Sequence, residues 1–231
     1  MPLSPFTELV QQVEQAIRHR QLKRLFVTGS DTDVGKTTIG AQLLQQLQQQ
    51  APDLHITARK PIASGCHKAS QNGELSCADS EQLYQALNGK TPLEIITPYR
   101  FEPSIAPTLA LQNAGQTLTT EALYQACIKE TEKVDFVLIE GAGGFYSPLS
   151  SHGTNAPLAK KLKSPVLLVV KAQLGCVNHT LLTADAIRHQ GLDLFAIVLN
   201  FAQPNNQNGE LIQQFLPDVP LYWVPERLSF A

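Results

Sequence analysis

The segment Thr28-Gly29-Ser30-Asp31-Thr32-Asp33-Val34-Gly35-Lys36-Thr37-Thr38 constrains this chain more than any other feature. It lies between the apolar run Leu25-Phe26-Val27 and a glutamine-rich stretch in which Ile39, Leu43, Leu44 and Leu47 recur at helical spacing, so the order is strand, loop, helix. Backbone N–H groups of such a loop can wrap an anion, and the helix N-terminus adds partial positive charge. Lys36 would reach the outer phosphates and Thr37 would offer a hydroxyl to magnesium, which together imply a nucleoside triphosphate. Five residues rather than four separate Gly29 from Gly35, and Ser30 stands where the strict pattern has glycine. An ordinary glycine-containing turn is the competing assignment, and it gives no reason for the strand before and the amphipathic helix after.

The rest of the chain alternates in the same way. Further strands are expected near 55–59, 135–139, 165–170 and 194–199, separated by helical patterns near 79–88, 119–132, 154–162 and 176–190. This predicts an α/β fold of the P-loop NTPase type, a mostly parallel sheet covered by helices on both faces. Phe136-Val137-Leu138-Ile139 and Val166-Leu167-Leu168-Val169-Val170 are apolar on both sides, as middle strands of such a sheet must be. Phe6, Leu9, Val10, Val13 and Ile17 predict an amphipathic helix over 6–21, so residues 1–22 read as a helical extension before one domain spanning 23–231. Residues 89–118, with Pro92, Pro98, Pro103 and Pro107, are expected to form a long connection of the kind used for ligand contact.

A chain of 231 residues, 43% of them hydrophobic, can bury a full core. A formal net charge of -2 argues against a broad nucleic-acid-binding face. Neither a membrane-spanning run of about 18 to 20 apolar residues nor a signal-peptide core is present, so a cytoplasmic protein is expected. Cys66, Cys77, Cys127 and Cys176 are scattered, and are expected to be reduced thiols with packing roles. The six dispersed histidines offer no transition-metal spacing, so any metal should be hard and oxygen-bound.

Three further side chains carry chemistry in this pattern. Glu140 stands at the carboxyl end of a buried strand, followed by Gly141-Ala142-Gly143-Gly144, where backbone could approach a phosphate closely. It would hold magnesium directly or through water, or else cap the next helix. Pro61 disfavours α conformation at Lys60, which should emerge from an extended strand end and face the crevice of Lys36, though a solvated surface charge is the plain alternative. Asp79 begins a helical pattern and also reads as an N-terminal cap or first-turn charge.

Taken together, the loop Thr28 to Thr37, Lys60-Pro61-Ile62-Ala63-Ser64-Gly65, Glu140-Gly141-Ala142-Gly143-Gly144 and Leu174-Gly175-Cys176-Val177-Asn178-His179 resemble the dethiobiotin synthetase family in order and spacing, over about residues 23 to 227. The resemblance implies an ATP- and magnesium-dependent cyclo-ligase of biotin synthesis that joins CO2 to the two amines of 7,8-diaminopelargonate through a carbamate and a carbamic-phosphoric anhydride. It implies Lys36 and Lys60 as catalytic cations, and Thr37, Asp79 and Glu140 as the magnesium-associated oxygens. Asp33, Val34, Gly35, Thr38, Gly141, Ala142, Gly143, Asn200, Pro225, Glu226 and Arg227 would contact the nucleotide. Asn200 would read the adenine. Thr32 and Ser64 would contact the substrate, and Gly175, Cys176, Val177 and Asn178 would cap its carboxylate from the partner subunit of a homodimer. Ala106-Pro107-Thr108 departs from the Ser-Pro-His often found in the family. Two rivals lack support in the residues. An ATP-dependent amidase would need a glutamine-hydrolysing domain, and a switch-like ATPase would carry a lysine early in its loop, where this chain has none between Gly29 and Lys36.

Overall fold

The computed structural model describes residues 4–68 and 74–225. In chain order the elements are β1 (Ser4–Pro5), α1 (Phe6–Arg18), β2 (Arg24–Gly29), α2 (Lys36–Gln50), β3 (Ile56–Arg59), β4 (Ile62–Ala63), β5 (His67–Lys68) and β6 (Leu75–Ser76). There follow α3 (Ala78–Ala86), α4 (Leu93–Ile96), β7 (Tyr99–Arg100), α5 (Pro107–Asn113), α6 (Thr120–Ile128) and β8 (Phe136–Gly144). The chain continues through α7 (Asn155–Leu162), β9 (Val166–Lys171), α8 (Cys176–His189), β10 (Leu194–Asn200), α9 (Gln207–Phe215) and β11 (Leu221–Val224).

Seven strands form one sheet in the order β1-β11-β10-β9-β2-β8-β3, and every adjacent pair in it is parallel. A parallel pair needs a crossover, and helices placed on both faces bury both sides of the sheet. The period-two alternation of the strands is visible in what each side chain meets. Leu25, Val27, Leu138, Leu167, Val169 and Val198 share one core with Leu9 and Val13 of α1, Leu43 and Leu44 of α2 and Leu83 of α3. Phe26, Val137, Ile139, Leu168, Val170 and Leu199 point the other way, into a core with Leu111, Leu123, Leu158, Ile187 and Ile212.

The two all-apolar strands are both interior, as expected, but they are not neighbours: β9 is the central strand, and β2 lies between it and β8. The N-terminal helix is present, and its five predicted apolar positions, Phe6, Leu9, Val10, Val13 and Ile17, are all buried. Residues 4–22 are no appendage. Leu9, Val13 and Leu22 belong to the core shared with β2, α2 and α3, Tyr222 Oη donates to Gln12 Oε1 at 2.7 Å, and Ser4–Pro5 adds a parallel edge strand beside β11.

Two expectations need correction. Residues 89–118 carry α4, β7 and α5 rather than a plain connection; β7 pairs with β4, and Pro107 sits at the start of α5. Elements this short hold too few residues to display a period. Cys66 and Cys77 are joined in a disulfide, where reduced thiols were expected. The physical reason is the antiparallel pairing of β5 with β6, His67 against Ser76, which brings the flanking cysteines to a Cα separation of 4.3 Å.

Cys127 and Cys176 are free and buried, and burial pushes the Cys127 thiol up to about 12 against the opposing influence of Arg59 and Arg24. Because thiolate is the reactive form, the native protein should contain no fast-reacting thiol at about pH 8. Thiol titration is expected to find two groups after denaturation without reductant and all four after reduction. Four in the unreduced, denatured chain would remove the disulfide.

Candidate active site

Register assembles the site before any side chain is considered. Val27 of β2 lies opposite Glu140 of β8, and Arg59 of β3 lies opposite Ile139. The residue after Arg59 is therefore carried alongside Glu140, while the loop that follows β2 opens on its other side. All three segments meet at the carboxyl ends of parallel strands, where open α/β sheets bind ligands.

The predicted phosphate loop runs from Gly29 into α2, with Gly35 as the residue before the helix at φ 93 and Asp33 also in the left-handed region at φ 55. A side chain at Gly35 would meet Asn200 Nδ2 at 2.2 Å. Only glycine fits there, because φ and space are both closed to other residues. Asn200 ends β10, is 3% exposed, donates from Nδ2 to Val34 O at 3.0 Å and accepts at Oδ1 from Phe201 N at 3.0 Å. It thereby ties the loop to the next strand but one.

Lys36 and Thr37, the first residues of α2, are buried. Lys36 Nζ turns back to donate to Asp31 O at 3.1 Å. Burial lowers its pKa, with attraction to Glu140 offsetting part of the effect and repulsion from Lys60 adding to it. Thr37 Oγ1 donates to Glu140 Oε1 at 2.7 Å.

Lys60 is the centre of the constellation. Its Nζ lies 2.5 Å from Glu140 Oε1 and 2.6 Å from Asp79 Oδ2, so it is not the solvated surface charge of the plain alternative. Burial opposes its charge, yet attraction to Glu140 and Asp79, together with hydrogen bonds to both, holds its pKa above the ordinary lysine value. Asp79, the second residue of α3, is held below the usual carboxylate range: burial works against the charge and Lys60 outweighs it. Glu140 lies within β8 rather than before a helix, which removes the capping alternative, since α7 begins only at Asn155.

The oxygen set Thr37, Asp79 and Glu140 suits a hard divalent cation shared with phosphate and water. Glu140 Oε2 is buried without a hydrogen-bond partner, an acceptor position of the kind a cation would satisfy. Among the described residues no three His, Cys, Asp or Glu gather as a metal cluster, and this site offers two carboxylates and a hydroxyl.

The other predicted residues are distributed as follows. Thr32 is exposed on the loop, and its Oγ1 lies 3.6 Å from where a side chain on Gly143 would sit. Ser64 is half-buried just after β4. Pro225 follows β11 beside Asn200, whose register partner is Val224; Glu226 and Arg227 lie outside the described residues. Gly175 precedes α8 at φ 88, Cys176 is buried, Asn178 is exposed and Leu174 is fully exposed at 100%. Among the described residues, no hydrogen bond or ion pair joins that turn to the Lys60 cluster.

One residue of this edge was missed by sequence reasoning. Asn155 is 0% exposed, and its carboxamide binds the backbone of Ala142, Gly144 and Ser147. In sequence, Thr154-Asn155 reads as a pair of helix-start residues, which hides a partner on the preceding strand.

This sheet order, the loop between β2 and α2, and a buried carboxylate on the adjoining strand define a P-loop nucleotide-binding protein. In agreement, the chain shares its fold with a ParA family ATPase from Chlorobium tepidum TLS, with TM-score 0.54, 16% identity and coverage of 89% of this chain and 85% of that one. The septum site-determining protein MinD from Pyrococcus horikoshii OT3 gives TM-score 0.54, 17% identity and coverage of 89% and 82%. A family model described as an AAA domain matches residues 23–225. ATP-dependent dethiobiotin synthetase BioD of Marinobacter nauticus is 43% identical over 72% of this chain and 70% of its own. The enzyme of that name from Ruthia magnifica is 36% identical over 84% and 87%. The chain belongs to the ATP-dependent dethiobiotin synthetase family.

Proposed function

We propose that this chain closes a cyclic urea on 7,8-diaminopelargonate, using CO2 and ATP, as a cytoplasmic homodimer. The observation that carries the reading is Lys60, a lysine 5% exposed whose ammonium bridges Glu140 and Asp79 while Glu140 also accepts from Thr37 of the phosphate loop. A cation fixed in this way serves where two anions must approach each other.

One substrate amine adds to CO2, losing a proton to give a carbamate. A carbamate oxygen attacks the γ-phosphorus of ATP and releases ADP, giving a carbamic-phosphoric anhydride. The second amine attacks the carbonyl carbon, loses a proton, expels inorganic phosphate and closes the ring. The approach of carbamate to triphosphate joins like charges, and phosphoryl transfer depends chiefly on positioning and electrostatic stabilisation. Lys36 and Lys60 supply positive charge at the crevice. Because its carboxylates keep Lys60 protonated, it acts as a fixed cation rather than as a base.

Thr37, Asp79 and Glu140 would hold magnesium, which when bound neutralises charge on the phosphate oxygens. The loop Asp33 to Thr38 and the backbone of Gly141, Ala142 and Gly143 would surround the phosphates. Asn200 retains one further N–H and one further lone pair for the base, next to Pro225. Thr32 and Ser64 would contact the diamine, and the Gly175–Asn178 turn of the partner subunit would cap its carboxylate.

Phosphate release from ATP with magnesium and bicarbonate tests this reading. Release is expected to require 7,8-diaminopelargonate and to yield the cyclic urea. Release at the same rate without the diamine would overturn it.

A further inference from the structure

We propose that Asn155 is a positioning residue for this transfer, acting through the backbone that carries Glu140; the inference rests on the reading that Glu140 to Gly143 line the phosphate crevice. Asn155 is the first residue of α7, and its side chain satisfies none of that helix's own N–H groups. A capping asparagine would stand one position earlier and accept from the second or third helical amide. Here the carboxamide reaches back to the end of β8. Nδ2 shares its two N–H bonds among Ala142 O at 2.8 Å, Gly144 O at 2.9 Å and Ser147 O at 3.2 Å, while Oδ1 accepts from Ala142 N at 3.1 Å.

The pairing with Ala142 engages both its N–H and its C=O, as a neighbouring strand would. It extends the order of β8 past the last residue register-matched to β3, which is Ile139. Three carbonyl oxygens are held on Asn155 and kept from facing an anion, which they would repel. A side chain at Gly141 would come within 2.3 Å of Asn155 Oδ1, so the residue after Glu140 is pressed directly against this carboxamide. Ser147 completes the bracket, its Oγ accepting from Gly144 N at 2.8 Å and its O from Asn155 N at 3.2 Å. The position of Glu140 along β8 is therefore set from the α7 side as well as from β2.

The experiment compares Asn155→Ala and Asn155→Asp with the unaltered enzyme, each at a temperature well below its own melting midpoint. The expected result is a fall in kcat of about 100-fold with diamine KM and ADP affinity changed by less than about threefold. A double-mutant cycle with Glu140→Gln separates positioning from general loosening. If Asn155 acts through Glu140, its replacement should lower kcat by about tenfold or less in the Glu140→Gln background. Folded variants with kcat within about threefold of the parent, or a strictly additive cycle, would overturn the proposal. Should neither Asn155 variant fold, Ser147→Ala tests the same bracket, with about a tenfold loss of kcat expected and an unchanged kcat decisive against it. Glu140→Gln alone retaining parental turnover would instead defeat the site reading itself.

Discussion

Lys60→Ala is expected to lower kcat by about 10²- to 10³-fold, or about 3 kcal/mol, the size of effect seen when one preorganised donor to developing negative charge is removed. Nucleotide affinity should change far less, because Lys36 and the loop backbone remain. The substitution also strips Glu140 of its cation. With Glu140 Oε2 already lacking a partner and its side chain 0% exposed, the variant should melt at lower temperature than the parent. Steady-state kinetics with ADP titration, run well below that melting point, distinguish the two consequences. Unchanged turnover would remove Lys60 from the mechanism.

Gly35→Ala should abolish productive nucleotide binding, raising the ADP dissociation constant by about 100-fold or more, equivalent to about 3 kcal/mol. Two costs coincide at this position. The backbone stands at φ 93, and the new methyl group would lie 2.2 Å from Asn200 Nδ2. Relieving the contact means breaking the Asn200 bond to Val34 O, which shapes the loop. The pair Gly35→Ala with Asn200→Ala, read against Asn200→Ala alone, separates the causes: affinity equal to that of Asn200→Ala would assign the loss to the clash, and a further loss would assign it to the backbone angle. An affinity within about threefold of the parent for Gly35→Ala alone would show that the loop tolerates both.

The amino-acid order determined most of the architecture on its own. Five strands and the helices between them announce themselves because their apolar residues recur with the periods of strand and helix. The loop before Lys36 is legible because phosphate binding demands particular residue types in a strand-loop-helix order. Alternation of Leu25, Phe26 and Val27 between two cores follows from the pleat, which needs no knowledge of neighbours. The chain's last edge was harder. Leu221–Val224 and Ser4–Pro5 become strands only by pairing with β10 and with each other, and segments of four and two residues carry no period.

Tertiary structure decided what sequence spacing could not. Glu140 and Lys60 are separated by 80 positions, and Thr37 and Glu140 by 103; only the registers Val27 with Glu140 and Arg59 with Ile139 bring these groups into hydrogen-bonding range. Asp79 could have been a simple first-turn charge until α3 set it against Lys60. The Cys66–Cys77 link arose from an antiparallel pairing of two residues per strand, too short to read. Asn155 bonds to the end of β8, which lies 11 and 13 positions before it in the chain. Local periodicity is written in consecutive residues, whereas ion pairs, strand register and a carboxamide's choice of partner depend on which distant surfaces close together, and those are settled only when the core packs.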